Sequence, residues 1–133
     1  EVAYIRGFGL ERGAIGSTVA HDSHNILAVG CTEEEISNVV NALIECRGGI
    51  VACKGGEVRT LSLPVAGLMS TEDGETVGHK YEALDRWTKE ALGSSLSAPF
   101  MTLSFMALLV IPSLKISDKG LFDGERFEFV DLV

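Results

Sequence analysis

The sequence predicts a single α+β domain, residues 1–133, in which two or three helices pack on a mostly antiparallel sheet. Strand-like segments outnumber helical ones, and their order is not the regular alternation of a parallel βαβ fold. A glycine-centred turn also joins two consecutive strand candidates, as in a β-hairpin. The 133 residues suit one core, and a 46% hydrophobic content is enough to build it.

Three strands are expected before the first helix. Residues 2–10, VAYIRGFGL, have a strand-like composition, although two glycines loosen the end of the segment. Residues 13–20, GAIGSTVA, form a second candidate rich in small residues, which suits close packing. Residues 26–31, ILAVGC, are a continuous apolar run of strand length, which predicts burial on both faces.

The clearest helix begins after Thr32. Thr32 is a good N-cap, and Glu35 three residues later completes a capping box. Arg47 and the pair Gly48–Gly49 supply a cation and a left-handed residue at the end of the helix. The apolar residues fall at helical spacing and form one stripe: Ile36, Val39, Val40, Leu43 and Ile44.

A β-hairpin is predicted over residues 49–65. Its two strands flank Lys54-Gly55-Gly56, since glycines adopt the positive φ angles that such turns require. Pro64 ends the second strand or places it at an edge. Residues 66–75, AGLMSTEDGE, are predicted to form a loop after the hairpin.

The remaining chain predicts a second helix over residues 75–92, with His79 on its solvated side. Residues 99–112 form one apolar element between two prolines, and their Leu and Met content favours a helix. Residues 117–124 are interpreted as a turn, and residues 126–133 as a terminal strand.

The composition excludes several classes of function. A net charge of −8 argues against binding to a nucleic-acid backbone, which needs clustered Lys and Arg. No basic amphipathic segment indicates a membrane surface. The three cysteines, Cys31, Cys46 and Cys53, show no paired spacing, and we expect buried, reduced thiols in a cytoplasmic protein.

The candidate functional residues lie together between the second and third strand candidates: His21, Asp22, Ser23, His24 and Asn25. All of them can donate, accept or exchange protons or bind a metal. Two histidines three apart in an extended chain point to opposite faces, which disfavours a metal site within this chain. Two other interpretations stay open: a turn satisfied by its own hydrogen bonds, and a loop presented to the active site of a neighbouring domain.

Four stretches together resemble one family: GFGLERGAIGSTVAHDSHNILAVG, LPVAGLMS, PFMTLSFMALLVIPSLKISDKGLFD and FEFVDL. In this order they are similar to the carboxy-terminal domain of microbial and archaeal adenine deaminases, which belong to the amidohydrolase superfamily. The resemblance covers almost the whole chain. It implies a role in purine metabolism, the hydrolysis of adenine to hypoxanthine and ammonia.

The resemblance also implies where the chemistry takes place. In that family a (β/α)₈ barrel binds a divalent metal, manganese or iron, and its ligands lie upstream of this domain. No metal is expected on this domain, and no catalytic residue of the family can be assigned to it. The loop from His21 to Asn25 does match the family motif, and we expect it to face the barrel or the domain interface.

We therefore expect a fragment of a longer enzyme, inactive alone, whose partners are the upstream barrel, adenine and further copies of the chain in a homo-oligomer. Two alternatives stay open. The chain is a stand-alone ligand-binding or regulatory module, or it is a purely structural oligomerisation domain.

Overall fold

The computed structural model describes residues 1–132, which form two antiparallel sheets and three helices. The predicted α+β class is confirmed. The elements in chain order are β1 (Ala14–Ser17), β2 (Leu27–Gly30), α1 (Glu33–Glu45), β3 (Gly49–Lys54), β4 (Glu57–Ser62), α2 (Gly74–Leu92), α3 (Pro99–Phe105), β5 (Leu114–Ser117), β6 (Gly120–Asp123) and β7 (Glu128–Val130).

The larger sheet has the strand order β2-β1-β3-β4, and every pair is antiparallel. Strand β1 is therefore internal, and all four of its residues are buried. Helix α1 packs on one face of the sheet, and helices α2 and α3 pack on the other. The alternation of side chains along β1 sends Ala14 to the α1 face and Ile15 to the opposite face.

Each face of the sheet has its own apolar core. Burial of a side chain of the size of leucine or isoleucine stabilises the fold by about 1.5–3 kcal/mol. The core under α1 contains Ala14, Val39, Leu43, Val51 and Cys53. The larger core under α2 and α3 contains Phe8, Ile15, Ile50, Ala52, Leu61, Leu63, Leu84, Leu92, Phe100 and Leu103.

Local sequence signals place the first helix and the hairpin as predicted. The hydroxyl of Thr32 accepts the backbone N–H of Glu35 at 3.2 Å, which caps α1. The N–H of Gly48 donates to the carbonyl of Leu43 at 2.9 Å and ends the helix. The stripe is narrower than predicted, because Ile44 at its end is 60% exposed.

The hairpin turn and α2 also agree with the prediction. Gly55 and Gly56 have φ angles of 56° and 84°, the left-handed values of a two-residue turn between β3 and β4. Asp73 caps α2 through the N–H of Thr76 at 2.9 Å. His79 is exposed on this helix, as predicted.

The first predicted strand is wrong. Residues 2–10 pair with no strand of the described chain, and their strand-like composition is not used in a sheet. This segment instead places Phe8 in the larger core and then reaches α2, where the N–H of Glu11 donates to the carbonyl of Leu92 at 3.0 Å.

The predicted burial of residues 26–31 is also wrong in part. Strand β2 is present, but it is an edge strand of the sheet and its four residues are only half-buried. Cys31 after it is exposed, in contrast to the prediction of a buried thiol. Cys46 is half-buried, Cys53 is buried, and all three thiols are free.

The carboxy-terminal third differs most from the prediction. The apolar element is helical, but the helix ends at Phe105 instead of continuing to residue 112. The segment interpreted as a turn contains most of the hairpin of β5 and β6. The terminal strand is shorter than residues 126–133, and its last predicted residue, Val133, lies outside the described residues.

The second sheet has the order β5-β6-β7, and Phe122 is its buried aromatic residue. The ring of Phe122 meets those of Phe127 and Phe129 edge-on, with centroid distances of 5.3 and 5.2 Å. The N–H of Ile116 donates to the carbonyl of Met106 at 3.0 Å and ties this sheet to the segment after α3. In the described part of the chain, no helix is long and apolar enough to cross a membrane.

Substitution of Gly16 by alanine tests the contact between α1 and β1. A Cβ atom at Gly16 would collide with Cγ1 of Val39 and lie 3.1 Å from Cδ1 of Leu43. We expect Gly16→Ala to lower the free energy of unfolding by about 1–3 kcal/mol, the usual effect of overpacking. Urea unfolding measures the change.

Gly78 provides the matched control. It lies within α2, is exposed, and has no atom within 4 Å of an added Cβ. Gly78→Ala should raise the free energy of unfolding by about 0.5–1 kcal/mol through helix propensity. Equal effects of the two substitutions would contradict the close packing at Gly16.

The cap of α2 predicts a pH dependence of stability. The backbone N–H of Thr76, followed by its hydroxyl, lowers the pKa of Asp73. Because the pKa is lower in the folded than in the unfolded chain, this stabilisation is complete above the ordinary carboxyl pKa and is lost as the pH falls through the folded value. The destabilisation by Asp73→Ala should therefore be present at neutral pH and vanish in acid, as measured by unfolding at a series of pH values. Asp73→Asn keeps a cap that does not titrate, and a pH-independent effect of Asp73→Ala would refute the assignment.

Candidate functional site

The polar loop of residues 21–26 connects β1 to β2, which pair with each other directly beneath it. All six residues of the loop are exposed. Both strands belong to the larger sheet, so the loop leaves a rigid scaffold and returns to it. This placement is typical of loops that bind ligands or partners.

The hydroxyl of Thr18 fixes the start of the loop. It accepts the N–H of Gly49 at 2.8 Å and donates to the carbonyl of Gly67 at 2.6 Å. Gly67 belongs to the segment LPVAGLMS, which approaches so closely that a Cβ at Gly48 would collide with its Cα. One hydroxyl therefore joins β1, β3 and the segment after β4.

The ring of His21 packs against helix α3. It stacks on the ring of Phe105 with a centroid distance of 4.0 Å and an angle of 29°. Its Nδ1 atom lies 3.0 Å from the hydroxyl oxygen of Ser104, which is buried. The imidazole is thus held in place from a helix that lies 83 residues further along the chain.

His24 is bound within the loop itself. Its Nδ1 atom accepts the N–H of Ala20 at 3.1 Å, and the carbonyl of Ser23 accepts the N–H of Asn25 at 3.0 Å. These bonds close a tight polar turn. The loop therefore has the internal hydrogen bonds expected of a self-satisfied turn. It is also exposed, as a loop presented to a neighbouring domain would need to be.

The other three polar residues face a cleft of about 460 Å³ between the loop and the second sheet. Asp22, Ser23 and Asn25 line it on the loop side, and Asp118 with Lys119 lines it on the side of the β5–β6 turn. The volume lies in the range of small-molecule sites. Its apolar lining includes Ile26, Leu27, Ala107, Leu109, Ile116 and Phe129.

The five candidate residues thus divide into two groups. His21 and His24 each use Nδ1 for a hydrogen bond within the protein, whereas Asp22, Ser23 and Asn25 line the cleft. Within residues 1–132, no three His, Cys, Asp or Glu side chains lie close enough together to hold a metal ion. The geometry of the loop is that of a hydrogen-bonding surface.

Comparison with known families identifies the domain. The model of the family described as "Adenine deaminase C-terminal domain" matches residues 1–128. The chain belongs to this family. Proteins named adenine deaminase match it along its length: 62% identical over 98% of this chain in Sulfurovum sp. strain NBC37-1, 55% over 99% in Methanosarcina barkeri and 54% over 98% in Salinibacter ruber.

The chain spans about a quarter of the length of these relatives, 24% in each case. The matched region is the part of such proteins that the family description names the C-terminal domain.

The stretches that carry the family resemblance converge on the loop. LPVAGLMS reaches it through the carbonyl of Gly67 on Thr18, and MTLSF reaches it through Ser104 and Phe105 on His21. Sequence reasoning did not identify Thr18, Ser104 or Phe105 as supporting residues. Their presence in these stretches was the available signal, but the contacts span 49 and 83 residues of sequence.

Substitution of Thr18 tests the anchor of the loop. Thr18→Val removes the acceptor of the N–H of Gly49 and the donor to the carbonyl of Gly67, which leaves two partly buried groups unpaired. We expect a loss of about 1–3 kcal/mol in the free energy of unfolding. Thr18→Ser keeps the hydroxyl and should retain most of the stability. Equal unfolding midpoints in urea for the two variants would show that the hydroxyl is not the anchor.

Proposed function

We propose that this chain is the carboxy-terminal domain of an enzyme that hydrolyses adenine to hypoxanthine and ammonia. The match of the family model to residues 1–128 carries the proposal. The relatives are named adenine deaminase, and the chain aligns with about a quarter of the length of each. In the intact protein the assay is release of ammonia from adenine.

The catalytic metal belongs, in this proposal, to the preceding part of the enzyme. Manganese or iron there would supply a hydroxide at neutral pH by lowering the pKa of bound water. The described residues of this chain offer no cluster of metal ligands. Their contribution is therefore to bind and orient groups at a site completed by the preceding part of the protein.

The loop from His21 to Asn25 is the surface that makes this contribution. It combines exposed hydrogen-bonding side chains with a braced backbone, and three of its residues line a cleft of small-molecule size. We infer that it closes the purine pocket or orders the groups around it. Residues that orient the groups around a metal site have large effects on activity without touching the metal.

The apolar surface supports burial in a larger assembly. Tyr4 is 94% exposed and Val2 80% exposed at the start of the chain, and Phe127 is 73% exposed near the end. Val2 lines one cleft together with Phe129, so exposed apolar side chains lie near each other there, as is typical of interfaces. We propose that the preceding part of the enzyme and further copies of the chain in a homo-oligomer cover them.

The three free thiols suit a reducing cytoplasm.

The double variant His21→Ala, His24→Ala in the intact enzyme tests the role of the loop. Loss of one or two hydrogen bonds to the substrate or its surroundings should lower kcat/KM for adenine about 10-fold or more. Steady-state kinetics of ammonia release measures the change, alongside metal content and the thermal unfolding midpoint.

His79→Ala is the matched control. His79 is exposed on α2 and lies outside the residues that line the cleft, so its substitution should leave kcat and KM unchanged. If the double variant is folded and metallated and its kcat and KM are unchanged, the loop has no role in catalysis. The role of this domain would then be structure and oligomerisation only.

A further inference from the structure

The hydroxyl of Ser104 determines which nitrogen of His21 carries the proton. Its oxygen lies 2.7 Å from the carbonyl oxygen of Met101 and 3.0 Å from Nδ1 of His21. Two oxygen atoms at 2.7 Å repel each other unless a hydrogen lies between them. The carbonyl has no hydrogen to give, so the single hydroxyl hydrogen of Ser104 points to Met101.

The Nδ1 atom of His21 must then be the donor in the second bond. Because the hydroxyl hydrogen is already used, the Ser104 oxygen can only accept from the imidazole. The neutral ring therefore carries its proton on Nδ1 and its lone pair on Nε2. Stacking on Phe105 at 4.0 Å fixes the plane of this ring.

His24 has the opposite tautomer. The N–H of Ala20 can only donate, so Nδ1 of His24 is the acceptor in their 3.1 Å bond. The proton of the neutral ring is then on Nε2. In the neutral rings, Nε2 is thus an acceptor on His21 and a donor on His24.

We infer that Ser104 is a positioning residue that keeps Nε2 of His21 a hydrogen-bond acceptor, and that this acceptor receives a hydrogen bond from adenine. This inference rests on the proposed function. Adenine carries its exocyclic amino group, a donor, beside the ring nitrogen N7, an acceptor. The amino group is therefore the donor that an acceptor on His21 can bind.

Nitrogen NMR of the intact enzyme tests the tautomers directly. Segmental labelling confines ¹⁵N-histidine to this domain, which has only three histidines. Protonated and unprotonated ring nitrogens resonate far apart, and variants lacking His21 or His24 assign the signals. We expect the proton on Nδ1 of His21 and on Nε2 of His24, and the reverse at either ring would overturn the inference.

Ser104→Ala tests the role of the hydroxyl. Without it the His21 signals should move to the averaged positions of the exposed His79. Thr102→Val is the control, because the hydroxyl of Thr102 on the same helix donates to the carbonyl of Ala98 and not to the loop. Unmoved His21 signals in Ser104→Ala would refute the positioning role. If this variant does not fold, the tautomer in the unaltered enzyme still decides.

Amide substitutions test the use of the acceptor. The side-chain oxygen of Gln can reach the place of Nε2, whereas that of Asn is shorter and reaches only the place of Nδ1. We expect His21→Gln to keep KM for adenine close to that of the unaltered enzyme, and His21→Asn and Ser104→Ala to raise it about 2- to 12-fold, the equivalent of one neutral hydrogen bond.

Equal KM values for the Gln and Asn variants would overturn the recognition of adenine by His21. Failure of the proposed function looks different, because the unaltered enzyme would then release no ammonia from adenine. The NMR result does not depend on that activity.

Discussion

The contact between helix α1 and strand β1 at Gly16 is the constraint on which the domain depends. Val39 and Leu43 occupy the space that a side chain at Gly16 would fill, so the helix lies directly on the strand. Strand β1 is internal because β2 and β3 pair with it on either side, and helices cover both of its faces. The chain leaves this strand for the polar loop at Ser17, which is paired with Leu27 on one side and Ile50 on the other.

The loop combines exposure with support from distant parts of the chain. Thr18 ties its base to Gly49 and Gly67, and α3 holds the ring of His21 through Ser104 and Phe105. An ordinary turn needs only its own backbone and a few polar side chains. Support for one imidazole by a stacked ring and a buried hydroxyl is better explained by a ring whose orientation matters.

Local signals made part of this structure predictable. The Thr32 cap, the glycine turn at Gly55 and the solvated position of His79 on α2 depend on neighbours in sequence, and all three were confirmed. The prediction of a strand over residues 2–10 was wrong, because a strand-like composition does not show that a partner strand is present. At the site, composition alone identified the loop, whereas its contact with Ser104 spans 83 residues and has no local signature.

The two sides of the cleft differ in how much buried structure supports them. The loop side stands on a four-stranded sheet packed between helices, whereas the opposite side belongs to three short strands around Phe122. Local opening takes less free energy where fewer apolar groups are buried. Amide hydrogens of β5–β7 should therefore exchange with solvent ahead of those in β1 and β3, and we expect the cleft to open on the side of Asp118 and Lys119 before it opens on the side of the loop. A ligand would then enter the cleft from the side of the smaller sheet, while the larger sheet keeps the loop in place.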